Sequence, residues 1–481
     1  MNLEKLGNPR LSSIVGLLGS YKFSYLFVFL VGVILRAIPE LIVSSYPIGY
    51  ETITYYAPPM FAFGDYGFLD VFVEFFRASP LFYCFMWFIV FLSRAHPFLI
   101  LKMVGPFLYG ILAVTFLLFL RKGLKLDEKT ALVTVLLLIF QVAALRESWD
   151  RFRNVLALST SFVTLTVHRN DYRYKWWIVG ILAGLTAFSR EYIAFGLVFV
   201  ILCFALLEKK DRIVSLLTLT PAIVIFSIIG YLQHIWNYLP STLNTSDTYL
   251  LVTQDIFSIF AVCYLPLLPF VAKGFKRDKI LDPMFYGLLL GSFGSVVSVW
   301  ITFPGYQRWL VLLVFPLSIY ATKGFELFRF FDKKNKKRLY VIFSIFIVIG
   351  TGYSSGLIST VVLPNTWVPT NMVQSSIKWS QIDDVKSVLA WLENNAPPNS
   401  TLLTEERFLG WAQIYLELDK NDIDIVPYAA GDSPFSVMQE VRGDHVYLIW
   451  YSNEIFTGFN QLYSKEEIAI FEIANFSLLS N

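Results

Sequence analysis

The chain has 481 residues, 56% hydrophobic, 17% aromatic and only 16% charged, against about 25% charged in a soluble globular protein. That balance excludes an ordinary soluble enzyme, and with no basic stripe along the sequence it excludes a nucleic-acid-binding protein. The net charge of +3 is the difference between two unlike parts, because residues 365–481 hold 16 Asp/Glu against 6 Lys/Arg and leave the excess of basic residues to the apolar part.

Apolar runs of membrane-spanning length recur from Ser24 to about Leu363, each bounded by charges. No small-residue cleavage site follows the first run, so it reads as a span rather than a signal peptide. Spans are expected near 24–44, 98–120, 129–145, 154–167, 176–189, 192–207, 213–232, 255–272, 281–302, 309–322 and 339–362, about eleven in all. The segment "PLFYCFMWFIVFLS", Pro80 to Ser93, is short for a span, and its 14 residues suit a re-entrant or interfacial helix. Charge parity agrees. With that segment non-spanning and the N-terminus inside, the cytoplasmic loops hold 21 Lys/Arg and the short outer loops hold 5. Making it a span reverses every later loop. The expected fold is therefore mainly α, a polytopic helix bundle over residues 1–363 with a long first outer loop at 45–97. A small acidic α/β domain over 364–481 follows on the extracytoplasmic side of a multi-pass cell-membrane protein. Sequons at Asn244, Asn399 and Asn475 fall on that same side.

Within the last domain, after the linker "PNTWVPTN", the periodicities predict a helix in "DDVKSVLAWLENN", a strand in "TLLT" and a helix in "EERFLGWAQIYL". Strands in "IDIVPY" and "HVYLIWY" and a closing helix in "KEEIAIFEIAN" complete it. Alternation of this kind points to a layered α/β domain. It could bind an acceptor or a partner subunit, or serve as a stabilising lid.

Cys84, Cys203 and Cys263 lie inside apolar runs and read as small core residues. The four histidines, at 96, 168, 234 and 445, are scattered. Neither set forms a metal-ligand pattern, and no obligatory metal or other cofactor is expected.

The outer side carries the candidate chemistry. "RESWDRFRN" holds Arg146, Glu147, Asp150, Arg151 and Arg153; "SRE" holds Arg190; "FPGYQRW" holds Tyr306 and Arg308. Charges at membrane depth are costly unless they pair, face a wet cavity or act in function. They could be interfacial side chains snorkelling to headgroups, or the lining of one shared polar cavity. Several guanidinium groups aimed at one point suit a phosphate or pyrophosphate. In "YPIGYETITYY", Tyr46 to Tyr56, Glu51 follows the first span and is placed as a general base for an incoming hydroxyl. Arg36 and Glu40 stand one helical turn apart and are expected to pair locally.

This layout resembles the GT-C superfamily of polyprenyl-phosphate-sugar-dependent glycosyltransferases. That group includes protein O-mannosyltransferases, aminoarabinose transferases and oligosaccharyltransferase catalytic subunits. The likeness covers roughly residues 20–330. "PIGYETITYY" matches the acidic first outer loop of that group, with Glu51 where the family usually has Asp. "SPLFYCFMWF" resembles its Pro-Leu-Tyr-rich juxtamembrane segment, Glu147 and Asp150 its second acidic loop, and "YQRWLVLLVFPLSIY" its late arginine followed by an apolar run with proline. The resemblance implies an inverting transfer of a sugar from a polyprenyl(dolichyl)-phosphate donor to a protein, glycan or lipid acceptor. It implies catalytic Glu51, Asp150 and Glu147, with the last two also open to a purely structural ion-pair role. Arg146, Arg151, Arg153, Arg190 and Arg308 are implied to bind the phosphate, and Tyr50, Tyr55 and Tyr306 to contact donor or acceptor. In place of the Trp-Trp-Asp-Tyr-Gly motif of the oligosaccharyltransferase subunits the chain has "LLTEERFLGWAQIYL", which favours a monosaccharide donor. Inversion needs one base, so no second carboxylate at retaining-glycosidase spacing is sought. A lipid-linked sugar transporter or flippase and a non-catalytic assembly protein remain as alternatives.

Overall fold

The computed structural model describes residues 21–43, 45–170, 174–207, 212–232, 246–276, 278–297, 305–328, 336–360, 368–416, 423–429, 432–441, 445–454 and 458–473. The expected loop cations at 209–210, the sequons at Asn244 and Asn475 and the first half of the linker "PNTWVPTN" lie outside them. In chain order the main helices are α1 (Tyr21–Ile42), α2 (Pro80–Ser93), α3 (Pro97–Leu118), α4 (Glu128–Ile139), α5 (Val142–Asp150), α6 (Phe152–Arg169), α7 (Lys175–Ser189) and α8 (Glu191–Leu207). They continue with α9 (Thr220–Leu232), α10 (Ser246–Tyr264), α11 (Leu281–Val297), α12 (Tyr306–Leu312), α13 (Val314–Leu327), α14 (Lys336–Ser355), α15 (Ile382–Asn395) and α16 (Glu406–Tyr415).

The expected eleven spans are not what the helices support. Six helical segments among the described residues are long and apolar enough to cross a membrane: Phe23–Ile42, Pro97–Gly123, Arg212–Tyr231, Tyr249–Gly274, Tyr306–Leu327 and Lys337–Ser355. Counting α4 and α5, bent by 63° at their junction, as one broken span makes seven. Helix α7, described at both ends, has 15 residues, about 22 Å at 1.5 Å per residue, short of a ~30 Å hydrocarbon core; α6 carries Arg153, His168 and Arg169 among its 18 residues, and the described parts of α8 and α11 have 17 residues each. Arg190 breaks α7 from α8 in a fully extended conformation (φ −162°, ψ 120°). Outward-facing apolar side chains such as Ile34, Leu41, Trp177 and Leu217 are more than half exposed, as befits helices solvated by lipid rather than water.

The chain divides into two compact units. The first comprises residues 1–42, 68–85 and 103–372; the second comprises 43–67, 86–102 and 373–481. The second unit thus unites the C-terminal domain with the Glu51 segment of the first outer loop.

The sheet of the second unit has five strands in the order β2-β1-β3-β5-β4, with β1 (Ser400–Glu405), β2 (Ile423–Tyr428), β3 (His445–Tyr451), β4 (Phe459–Lys465) and β5 (Ile468–Ile473). β1 runs parallel to both β2 and β3, while β5 is antiparallel to β3 and β4. The expected helix in "KEEIAIFEIAN" is instead the turn and second strand of a hairpin. Glu466 takes φ +44° at the turn. β5 lies between two strands and is buried along nearly its whole length, and such a strand reads as a continuous apolar run that periodicity cannot tell from a buried helix. The other five predicted elements of this domain form as expected. One face of the sheet packs Leu403, Val426, Val446, Leu448 and Phe471 into a core that Trp450 and Val437 complete.

Candidate functional site

The first unit gathers most of the arginines singled out in the sequence, and it does so by pairing them. In α5, Arg146 Nη1 lies 2.7 Å from Asp150 Oδ1. Arg151 lies 3.7 Å from Glu147 and 3.9 Å from Asp150. Asn154 donates to Glu147 at 2.6 Å. All four charged side chains are at least 95% buried. Three of these contacts join residues four apart or adjacent, so a single helix end supplies acid and base together. Arg153 donates to the Ala78 carbonyl at 3.2 Å.

Arg36 anchors this helix end. Its Nη1 donates to Glu40 at 3.0 Å, as the sequence spacing predicts. Its Nε and Nη2 also donate to the carbonyls of Ser148 and Trp149 at 2.9 and 3.0 Å, groups in the last turn of α5 that no intrahelical N–H can satisfy. Gly105 makes room for it, since a Cβ there would stand 2.7 Å from Nη2. Trp149 is held in turn by its Nε1–H to the Met372 carbonyl at 3.0 Å.

A second cluster forms where α8 and α12 begin. The guanidinium carbons of Arg190 and Arg308 lie 5.4 and 5.6 Å from the centroid of the same ring, Tyr192. Arg190 also lies 3.5 Å from Glu191. The charges of Arg190, Arg153 and Arg308 all act on Glu191, and those of Glu147, Arg151, Arg308 and Arg190 act on Tyr192. Tyr192 is therefore the point at which Arg190 and Arg308 meet. Arg146 and Asp150 act instead on Tyr353 of α14. Tyr192 Oη is buried and has no hydrogen-bond partner among the described residues.

Directly beside this meeting point lies a cavity of about 250 Å³ between α6, α8, α11 and α12. Ile193, Gly196, Val200, Gly287, Gly291 and Trp309 are among its walls, and Ser161 is the one hydroxyl residue lining it. Ile193 follows Tyr192, and Trp309 follows Arg308, packing edge-on to Tyr192 with ring centroids 5.6 Å apart. The cavity's lining thus comes within three residues of Arg190 on α8 and within one of Arg308 on α12.

Tyr306, partly buried, is held by an acid on α10. Its hydroxyl donates to Asp255 Oδ2 at 2.9 Å, and Gln307 donates to the same oxygen at 3.2 Å. Asp255 is buried, and Oδ1 has no hydrogen-bond partner among the described residues. The sequence reading passed over it because it falls at the margin of the span expected at 255–272. The signal was one acid among apolar neighbours in a membrane-type helix. Glu191 and Tyr192 were missed for a different reason, being flanks of a singled-out arginine.

Glu51, Tyr50 and Tyr55 belong to the second unit. Glu51 opens a five-residue π-helical turn, Thr52–Tyr56, a wide turn often found at functional sites. Tyr56 donates to Glu51 Oε2 at 3.4 Å. The turn is pinned before and behind. Gly49, at φ +101°, donates its N–H to the Gln374 carbonyl at 2.8 Å and bridges to Ser375. Behind the turn stands Gly410 of α16, where a Cβ would come within 2.0 Å of the Ile53 carbonyl oxygen. Tyr50 donates to Glu406 at 3.3 Å. Burial, then the Glu406 charge, push the Tyr50 hydroxyl well above the usual phenol range, so it donates at any physiological pH. Tyr55 is 38% exposed.

Among the described residues no three His, Cys, Asp or Glu side chains are grouped as metal ligands would be. No protein-family model matches the chain, and no curated protein sequence matches it significantly.

Proposed function

We propose that this chain is a membrane glycosyltransferase that moves a sugar from a polyprenyl(dolichyl)-phosphate donor to an extracytoplasmic acceptor, with inversion. Its N-terminus lies in the cytoplasm and its C-terminal domain outside. The observation that carries the reading is an apolar cavity one of whose walls, Trp309, packs against Tyr192, the ring that Arg190 and Arg308 share. A ligand that matches it has a hydrocarbon tail and an anionic head. A lipid phosphate is the simplest such molecule, with the tail among Ile193, Gly196 and Trp309 and the phosphate on the two guanidinium groups. Fixed cations at that point stabilise the charge that grows on the departing phosphate, where preorganised electrostatics contribute most. Glu51, in the second unit, is the base that takes the acceptor hydroxyl's proton. The ion-paired Glu147 and Asp150 hold Arg151 and Arg146 in place.

The test is transfer from labelled polyprenyl-phosphate sugars in proteoliposomes, alongside binding of the unglycosylated polyprenyl phosphate. Glu51→Gln is expected to lose at least ~10²-fold in transfer, the usual size of a general-base contribution, while binding the lipid phosphate as the wild type does. Arg308→Ala is expected to weaken that binding. Equal transfer by wild type and Glu51→Gln would remove Glu51 from the mechanism. Lipid-phosphate binding with no transfer from any donor would replace the enzyme with a lipid-linked-sugar carrier, for which the same cavity serves.

A further inference from the structure

A separate ligand site is drawn by the sheet of the second unit, whatever reaction the first unit supports. The chain leaves β1 through α16 to reach β2 on one side of β1, then crosses to β3 on the other side. In open parallel sheets, ligands bind outside the carboxyl ends of the strands where the order reverses in this way.

The residues at that edge share one face. Glu405 and Tyr428 are paired across β1 and β2. Trp450 stands on β3 two residues beyond the Leu403↔Leu448 pair, level with Glu405. Arg407, one third exposed, folds back from the first turn of α16. It forks onto Glu405 through Nη2 (2.8 Å to Oε1) and Nε, and it donates to the Tyr451 hydroxyl at 3.3 Å. Its guanidinium carbon lies 5.6 Å from the Trp450 ring centroid and 5.9 Å from that of Tyr451. Tyr428, its ring centroid 6.3 Å from that of Trp450, is 97% buried, and its hydroxyl has no hydrogen-bond partner among the described residues. A buried hydroxyl without a partner destabilises the fold, and a ligand that supplies the missing partner relieves that.

The chemistry selects the ligand. A helix start at a switch point commonly receives phosphate, but here Glu405 and Glu406 already place carboxylates there, in a domain with 16 acids to 6 bases over residues 365–481. An anion is repelled. What remains is an internally neutral Arg–Glu pair, an idle phenol hydroxyl and two aromatic rings: forked donors and acceptors for vicinal hydroxyls, with apolar faces for ring C–H groups. We infer that the carboxyl edge of β1, β2 and β3, with Arg407, Glu405, Tyr428 and Trp450, is a binding site for a neutral saccharide.

The experiment uses the full chain in lipid nanodiscs, free of glycoside detergent, with methyl α-mannopyranoside and methyl β-glucopyranoside as probes and glycerol 1-phosphate as the anionic control. Saturation-transfer NMR is expected to mark the ring protons of at least one glycoside and none of the glycerol phosphate protons. Tyr428→Phe deletes only the idle hydroxyl, so its melting temperature is expected to equal or exceed the wild type's. It is expected to weaken glycoside binding about fivefold, the worth of one hydrogen bond. Arg407→Lys keeps the charge and loses the fork, and it is expected to weaken binding as well. Absence of saturation on both glycosides, undiminished binding in Tyr428→Phe, or displacement of the glycoside by glycerol 1-phosphate would each overturn the assignment.

Discussion

Arg36 and Gly410 show how single positions decide where the candidate groups sit. Arg36 is wholly buried and meets Glu40, Ser148 and Trp149. Only the first of these was legible in the sequence, because an i, i+4 spacing reveals a local partner. Carbonyls 112 and 113 residues away leave no trace in it. Glu147 and Asp150 belong to the same lesson. Their spacing from Arg151 and Arg146 allowed either an ion pair or a catalytic role, and the folded helix makes the pairs. Gly410 reads in the sequence only as part of a helix, yet it lets the backbone of the Glu51 turn approach α16. Gly410→Ala sets two effects against each other. Alanine favours a helix interior over glycine by about 1 kcal/mol, whereas a Cβ at 2.0 Å from the Ile53 oxygen forces backbone shifts costing about 1–3 kcal/mol. The net expectation is a lower melting temperature for the variant; a higher one would mean that α16 does not clasp the turn.

At the level of elements, ends and lengths matter more than apolar content. Asp127 caps α4, accepting the Thr130 N–H at 3.0 Å. Burial raises its pKa, but the hydrogen bonds from Thr130 outweigh burial and hold the carboxyl below its ordinary range. A carboxyl depressed in the folded state contributes stability above its unfolded pKa, and that contribution is lost as pH falls through the folded value. Asp127→Ala is therefore expected to cost about 1 kcal/mol at neutral pH, with the gap from wild type closing below about pH 4; thermal melts of both proteins across pH measure this. The same attention to ends explains the sheet. Runs bounded by turn residues, "TLLT", "IDIVPY" and "HVYLIWY", were legible as strands, whereas "KEEIAIFEIAN" was not, because a strand flanked on both sides loses its alternation.

For the whole molecule, the loop charges predict an orientation that impermeant labelling can check. Glu466→Cys places a thiol in the exposed β4–β5 turn. Intact cells or sealed right-side-out vesicles are expected to label it with a membrane-impermeant maleimide, and labelling only after lysis would invert the assigned topology. Composition and charge patterning by themselves determined that this is a helical, apolar chain with an acidic α/β tail, because hydrophobicity and period are properties of neighbours along the chain. They also marked the outer arginines, because a charge in an apolar setting is conspicuous wherever it lies. Tertiary structure alone decided which helices reach membrane length, and that Arg190 and Arg308 share the ring of Tyr192, against which the cavity wall Trp309 packs. It also decided that the Glu51 turn folds with the C-terminal domain and that Tyr428, Glu405 and Trp450 line up across three strands. Most of these rest on contacts between residues tens to hundreds of positions apart, fixed by packing and register, on which local pattern carries no information.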